Sequence, residues 1–175
     1  WVNTHIYFFL GFAITGTFLV EYLLQRQWTR LKRLSLVFGA ALCASLINPF
    51  GIYGVLAPFT IFKNYGYDLV ENKSLFFLER MMMRNPNFTI FKIVFGLLLV
   101  SFLVAAIKQH KKIPVSFILL AAGFSAMAWS AIRNFALFGL FALPILACNI
   151  SLIFPVDRKT VTERTRQKIA AALLA

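Results

Sequence analysis

Charge is what this sequence has little of. Charged residues are 14% of the 175 residues, against about 25% in an ordinary soluble domain. Those present are gathered into short clusters between long uncharged stretches. This composition lies outside the usual soluble class, leaving a soluble all-helical core as the alternative to a membrane protein. Cysteine is scarce as well. Cys43 and Cys148 are each surrounded in sequence by apolar residues, so they read as small buried hydrophobes and not as a disulfide or a metal pair. No C-x-x-C or H-E-x-x-H spacing occurs, which removes two common metal and redox signatures. No acidic or basic residue falls in the middle of an apolar segment, so an obvious ion-coupling relay is missing. The chain opens on Trp1 with no signal-peptide pattern and closes on IAAALLA. The expectation is therefore the C-terminal part of a larger protein.

What is present is apolar and basic. The hydrophobic fraction is 60% and the mean hydropathy is +0.77. The net charge of +12 would suggest nucleic acid in a soluble chain. Here the basic residues flank apolar spans, as membrane orientation requires, and nucleic acid is not an expected partner.

The pattern predicts an all-α integral membrane protein of about five transmembrane helices, with spans near 5–24, 29–47, 88–107, 113–130 and 135–155. The second is broken by Asn48-Pro49-Phe50-Gly51, where Pro49 restricts Asn48 and Gly51 permits a turn. The dozen residues that follow are too few to cross again and predict an interfacial or re-entrant helix near 52–62. Residues 1–156 form the membrane region. Residues 157–175 form a basic cytoplasmic tail with a short helix from Val161, started by the capping box Thr160-Val161-Thr162-Glu163.

The block from Ile113 to Val156 holds one charged residue, Arg133. Its roughly 44 residues would make a helix of about 66 Å, twice what a bilayer needs. It reads as two helices turning at Ser130 to Asn134, with Arg133 near the membrane surface. The basic residues alternate accordingly. Arg26, Arg30, Lys32, Arg33, Lys108, Lys111, Lys112, Arg158, Lys159, Arg164, Arg166 and Lys168 fall on one side. Lys63, Lys73, Arg80, Arg84, Lys92 and Arg133 fall on the other. The richer side is cytoplasmic, so Trp1 starts outside and Ala175 ends inside.

This topology gathers Asn3, His5, Asn48, Asp68, Glu71, Glu79, Arg80, Arg84, Arg133 and Asn134 on the outer face. An arginine held at a hairpin suits phosphate, carboxylate or sugar hydroxyls through its planar fork. Each residue also has a plainer reading. Arg133 would be a head-group anchor, His5 an interfacial residue and Asn48 a cap for the broken helix. Glu71 and Asp68 would be solvated acids pairing with Lys73 or Arg80. Glu21 would satisfy the inner interface or reach Arg26, and Lys92 would snorkel. The triplets Asn72-Lys73-Ser74 and Asn87-Phe88-Thr89 match the glycosylation pattern, which arises often by chance. Small residues from Ala121 to Ala128 would let another helix approach closely.

Three stretches together carry a resemblance: WVNTH entering the first span, LINPFG at the break, and SAIRNFALFGLFALPILA in the last hairpin. In this order they resemble the C-terminal part of bacterial multi-pass proteins grouped loosely with the GT-C type glycosyltransferases, which use polyprenyl-phosphate sugars. The resemblance covers Trp1 to about Pro155 and points to Trp1, Asn3, His5, Asn48, Pro49, Gly51, Glu71, Arg133 and Asn134. The loop departs from the pattern after Glu71, where Asn72 stands in place of an aromatic.

The resemblance implies sugar transfer from a lipid-phosphate donor at the outer face of a bacterial cytoplasmic membrane. Arg133, with Arg80 or Arg84, would meet the departing phosphate. Asn134, Asn48 and His5 would position hydroxyls, Asn3 would belong to the same lipid-phosphate or substrate-binding set, and Glu71 would bind the acceptor or a metal. The catalytic acid would lie outside this chain. No cofactor is expected in the chain itself, and a divalent metal would belong to the full protein. The implied partners are membrane lipid, a polyprenyl-phosphate sugar and the N-terminal transmembrane part of the same protein. The rival readings are a multi-span transporter or flippase, its path lined by the broken helix, and a non-catalytic membrane subunit.

Overall fold

The structure is a computed structural model describing residues 6–60, 69–109 and 113–154. Those residues are all-helical, with no strand among them. A single turn at Ile6–Phe8 leads into α1 (Phe9–Leu24), followed by α2 (Trp28–Ser45) and α3 (Gly51–Thr60). A second turn, Val70–Asn72, precedes the short α4 (Leu75–Arg80). Then come α5 (Pro86–Gln109), α6 (Val115–Ser130), a turn at Ile132–Asn134 and α7 (Phe135–Ile153).

Local chemistry explains the ends. Pro86 occupies the first position of α5, where its missing N–H costs nothing. Ser74 caps α4, its hydroxyl accepting from the Phe77 N–H at 3.3 Å. Two of these helices are long and apolar enough to cross a membrane: Pro86–Lys108, with mean hydropathy 2.7, and Ile132–Ile153, with 2.2. In each, only 22% of the most apolar stretch is buried within the chain. A helix at the centre of a soluble core would have most of that stretch covered. Here Ile93, Leu97, Val100, Leu103 and Ile107 face outward instead.

About five spans were expected, and among the described residues two helices are both long and apolar enough. α1 and α6 are apolar but have 16 residues each, about 24 Å against a hydrocarbon core of about 30 Å. α2 opens with Trp28, Arg30, Lys32 and Arg33, so only its second half is apolar.

Side-chain pairs fix the directions. Phe124 of α6 stacks on Phe141 of α7 at 3.9 Å, with the Ile132–Asn134 turn midway between them, so the two form an antiparallel hairpin. Phe91 of α5 meets Phe138 near one end of α7. Ser101 meets Asn149 near the other, so α5 and α7 run parallel. α1 lies antiparallel to α6, with Tyr7 at Asn134 and Glu21 at Ser116, and α2 packs on α1. The inward residues repeat at helical spacing: Phe88, Phe91, Leu98, Ser101 and Ala105 on α5, and Phe138, Ala142, Ile145 and Asn149 on α7. Within this core Asn149 is fully buried and donates to the Ser101 hydroxyl at 3.0 Å. Ser101 in turn donates to the Leu98 carbonyl at 2.8 Å.

Three local expectations change. Cys43 and Cys148 are exposed and not buried, because their apolar neighbours in sequence lie on outward faces of α2 and α7. Lys92 pairs with Glu79, its Nζ 2.6 and 2.8 Å from the two carboxylate oxygens. Glu21 does not reach Arg26 but accepts from Gln25 Nε2 at 2.9 Å and from the Ser116 N–H at 3.2 Å. The second contact matters more. α6 starts after Pro114 with no side-chain cap of its own, and a carboxylate there satisfies a free N–H and complements the positive helix end. Glu21→Ala should therefore cost about 1 kcal/mol in a detergent unfolding titration. A variant as stable as the parent would deny Glu21 this role.

Candidate functional site: the Arg133 turn

The end of the bundle where α1 begins and α6 turns into α7 collects polar side chains. Ala131 adopts an extended conformation and breaks the helix after Ser130, and Ile132–Asn134 make one tight turn into α7. Asn134, buried, secures this turn from both sides. Its Nδ2 donates to the Met127 carbonyl at 2.9 Å, and its Oδ1 accepts from the Tyr7 hydroxyl at 2.8 Å. The Ile132 N–H donates to the Lys73 carbonyl at 3.2 Å, tying the Val70–Asn72 turn and its Glu71 against the Arg133 turn.

Arg133 is therefore mounted on a fixed piece of backbone. Its guanidinium carbon lies 5.8 Å from the centre of the Tyr7 ring, a distance at which cation and ring attract. Its Nε is buried and has no hydrogen-bond partner. A donor in that state costs about 1–3 kcal/mol unless an acceptor reaches it. Just beyond it α7 begins at Phe135 without a side-chain cap, so the positive end of a 19-residue helix adds to the same field. A planar fork with an unused donor beside a positive helix end is suited to an anion such as phosphate.

The other candidates distribute as follows. Glu71 is exposed on the adjoining turn. Arg80 is exposed at the end of α4. Arg84 is exposed in a cleft of about 460 Å³ shared with Glu79, Met82, Met83 and Thr89; Arg133 does not line it. Lys73 sits with its Nζ 5.3 Å from the Phe77 ring. Trp1, Asn3, His5 and Asp68 lie outside the described residues, as do the cytoplasmic tail and its expected helix.

Asn48 is committed elsewhere. Its Nδ2 donates to the carbonyls of Ser45 at 2.9 Å and Gly51 at 2.8 Å, while its Oδ1 accepts from the Phe50 N–H at 2.8 Å. Both amide donors are spent on the break, so Asn48 acts as the cap of the broken helix. Gly51 has φ +52°, a conformation that favours glycine. At Gly54 a β-carbon would overlap the Asn48 amide oxygen. Gly54→Ala should cost about 1–3 kcal/mol. Most of that cost should vanish in an Asn48→Ala background, a non-additivity that a double-mutant unfolding cycle reads directly. Additive losses would mean that the two side chains do not compete for space.

Sequence reasoning missed Tyr7 as the support of Arg133 and Asn134. Nothing in one more aromatic near a helix start signals a partner 127 residues away. Among the described residues no group of three His, Cys, Asp or Glu side chains is placed to hold a metal ion. Compared with known proteins, the chain matches no family model, no curated sequence and no solved structure.

Proposed function

We propose that this chain is the membrane region of a glycosyltransferase-like protein that transfers a sugar from a polyprenyl-phosphate donor at the outer face of a bacterial cytoplasmic membrane. In this reading the chain crosses the bilayer about five times, with Trp1 outside and Ala175 in the cytoplasm. α1, α2 and α6 complete the set begun by α5 and α7. The short helices are accommodated by local thinning of the bilayer and by neighbouring helices.

The observation that carries the reading is Arg133. An unused guanidinium donor lies at the mouth of an apolar hairpin, beside the uncapped positive end of α7. That arrangement is suited to the negative charge that develops on a departing lipid phosphate. Asn134 serves by holding the turn, Tyr7 by holding the guanidinium, and Glu71 on the adjoining turn faces the acceptor side. Arg80 and Arg84 stand farther out and attract anionic lipids to this end. The catalytic acid comes from outside the chain, as the resemblance implies.

The transporter reading loses support from Asn48, whose donors are tied up within the break and are not free to line a path. The test is reconstitution of the full protein in vesicles. Transfer of labelled sugar from a polyprenyl-phosphate donor to an acceptor is the expected result. Accumulation of intact substrate inside the vesicles, with no transfer, would replace this reading with the transporter.

A further inference from the structure

Of the four methionines in the sequence, three stand side by side as Met81, Met82 and Met83. They form the turn between α4 and α5, and all are exposed, at 63%, 82% and 48%. The fourth, Met127, is half-buried and packs against the core. We propose that Met81, Met82 and Met83 form a site of reversible oxidation by peroxides. The inference rests on the exposure of this turn, and neither on sugar transfer nor on the number of spans.

The backbone of the turn is closed. The N–H groups of Met81, Met82 and Met83 donate to the carbonyls of Phe77 at 3.1 Å, Glu79 at 3.0 Å and Leu78 at 3.1 Å. The last two are the pair of bonds that ends a helix through a left-handed residue, usually glycine. Here that residue is Met82, with φ 58°, and its exposed side chain gains little packing in return. A methionine placed for packing would sit as Met127 does. Met82 is instead presented outward on a fixed backbone, with another methionine on either side.

Charge keeps the turn at the aqueous edge. Arg80 and Arg84 flank the three methionines and are exposed. Neither makes a hydrogen bond or ion pair among the described residues. Two hydrated cations at its ends oppose withdrawal of the turn into apolar surroundings.

The chemistry needs no activating neighbour, because a thioether has no proton to lose before it reacts. The sulfur lone pair takes the terminal oxygen of hydrogen peroxide, the O–O bond breaks, and the proton on that oxygen passes to the departing hydroxide. The products are methionine sulfoxide and water; sulfur gives up two electrons and the peroxide receives them. Methionine sulfoxide reductases reverse the change. Oxidation makes three apolar tips polar without touching the backbone bonds that close the turn. Met82 and Met83 also line the cleft beside Arg84, so the wall of that cleft changes with them.

The experiment is graded hydrogen peroxide treatment of the full protein in proteoliposomes, read by peptide mass spectrometry at each methionine and by circular dichroism. The expected result is one oxygen added at each of Met81, Met82 and Met83, with Met127 oxidised at least about tenfold more slowly and the helical signal unchanged. Treatment with both reductase types should then restore the original mass. A variant carrying Met81→Leu, Met82→Leu and Met83→Leu keeps the apolar bulk and should take up no oxygen at the same dose. Equal rates at Met127 and the turn, a turn that stays reduced, or loss of helix on oxidation would overturn the inference. Substantial uptake by the triple leucine variant would overturn it as well.

Discussion

Arg133→Ala should lower sugar transfer by the full protein about 100-fold or more while leaving membrane insertion unchanged. The size follows from the role: removing one positioned donor that meets developing negative charge typically costs about 10²–10³ in rate. Insertion should be spared because the turn is held by Asn134 and not by Arg133. The Asn134 side chain bonds Met127 and Tyr7, and neither contact involves the guanidinium. Arg133→Lys separates two parts of the effect. It keeps a positive charge but loses the planar fork and the Nε donor, so it should recover only part of the rate. Initial rates in proteoliposomes at matched protein and donor concentrations provide the comparison, with alkaline extraction as the insertion control. Wild-type turnover by the alanine variant would take Arg133 out of the chemistry and leave it as a head-group anchor.

Phe91→Ala should be the most damaging single change to the fold, costing about 3 kcal/mol. Phe91 is 3% exposed and forms the hub of an aromatic cluster joining α5, α6 and α7. Its ring stacks on Phe135 at 4.6 Å, meets Phe138 edge-on at 4.9 Å and meets Trp129 edge-on at 5.0 Å. Truncation leaves a cavity among rings that have few ways to close it, and in soluble cores Phe→Ala costs about 3–5 kcal/mol. The lower end applies in lipid, where the water-transfer part of that figure is absent and lost packing remains. Ile90, the adjacent residue on the outward face, is 55% exposed, and Ile90→Ala should stay within about 0.5 kcal/mol. Unfolding of both variants by a graded denaturing detergent reads the difference. Equal losses would mean that the cluster is not what joins the three helices.

The long helices were legible in the sequence because uncharged apolar stretches mark them, whereas α4, which ends in Glu79 and Arg80, was not anticipated. The turn at Ile132–Asn134 was legible for the same reason, being the one polar place in a block too long for a single helix. The break after Ser45 could be read from Asn48, Pro49 and Gly51, whose backbone preferences need no partner. What could not be read was which face of each helix turns inward. α5 and α6 are apolar all round, so hydrophobic periodicity carries little information there. Cys148, on α7, was expected inside because its sequence neighbours are apolar, but it lies on the outward side with Ala147 and Ile150.

The functional residues divide along the same line. Arg133 stood out because it is a lone charge in an apolar block. Tyr7 did not, because its importance comes from a contact across the fold. Glu21 reads as a residue of the inner interface or a partner of Arg26 because nothing local shows that α6 begins beside it without a cap. Span number fell between these cases: apolar stretches were visible, but the helical lengths of α1 and α6 depended on where their ends would be tied.

Those ties make α1 and the last hairpin a single mechanical part. α1 is pinned to α6 near both its ends, by Tyr7 on Asn134 and by Ser116 on Glu21, like a rung bolted at two points. Neither can slide along the other without breaking a bolt. α5 joins the same block through Phe91 and through Ser101 on Asn149. α2 has no such fastening to the block and rides on α1 alone among the helix pairs in close contact. Arg133 is thus carried on the part of the fold fastened by these bonds, while the α2–α3 segment is held to it by packing, α2 on α1 and α3 on the Ile6–Phe8 turn.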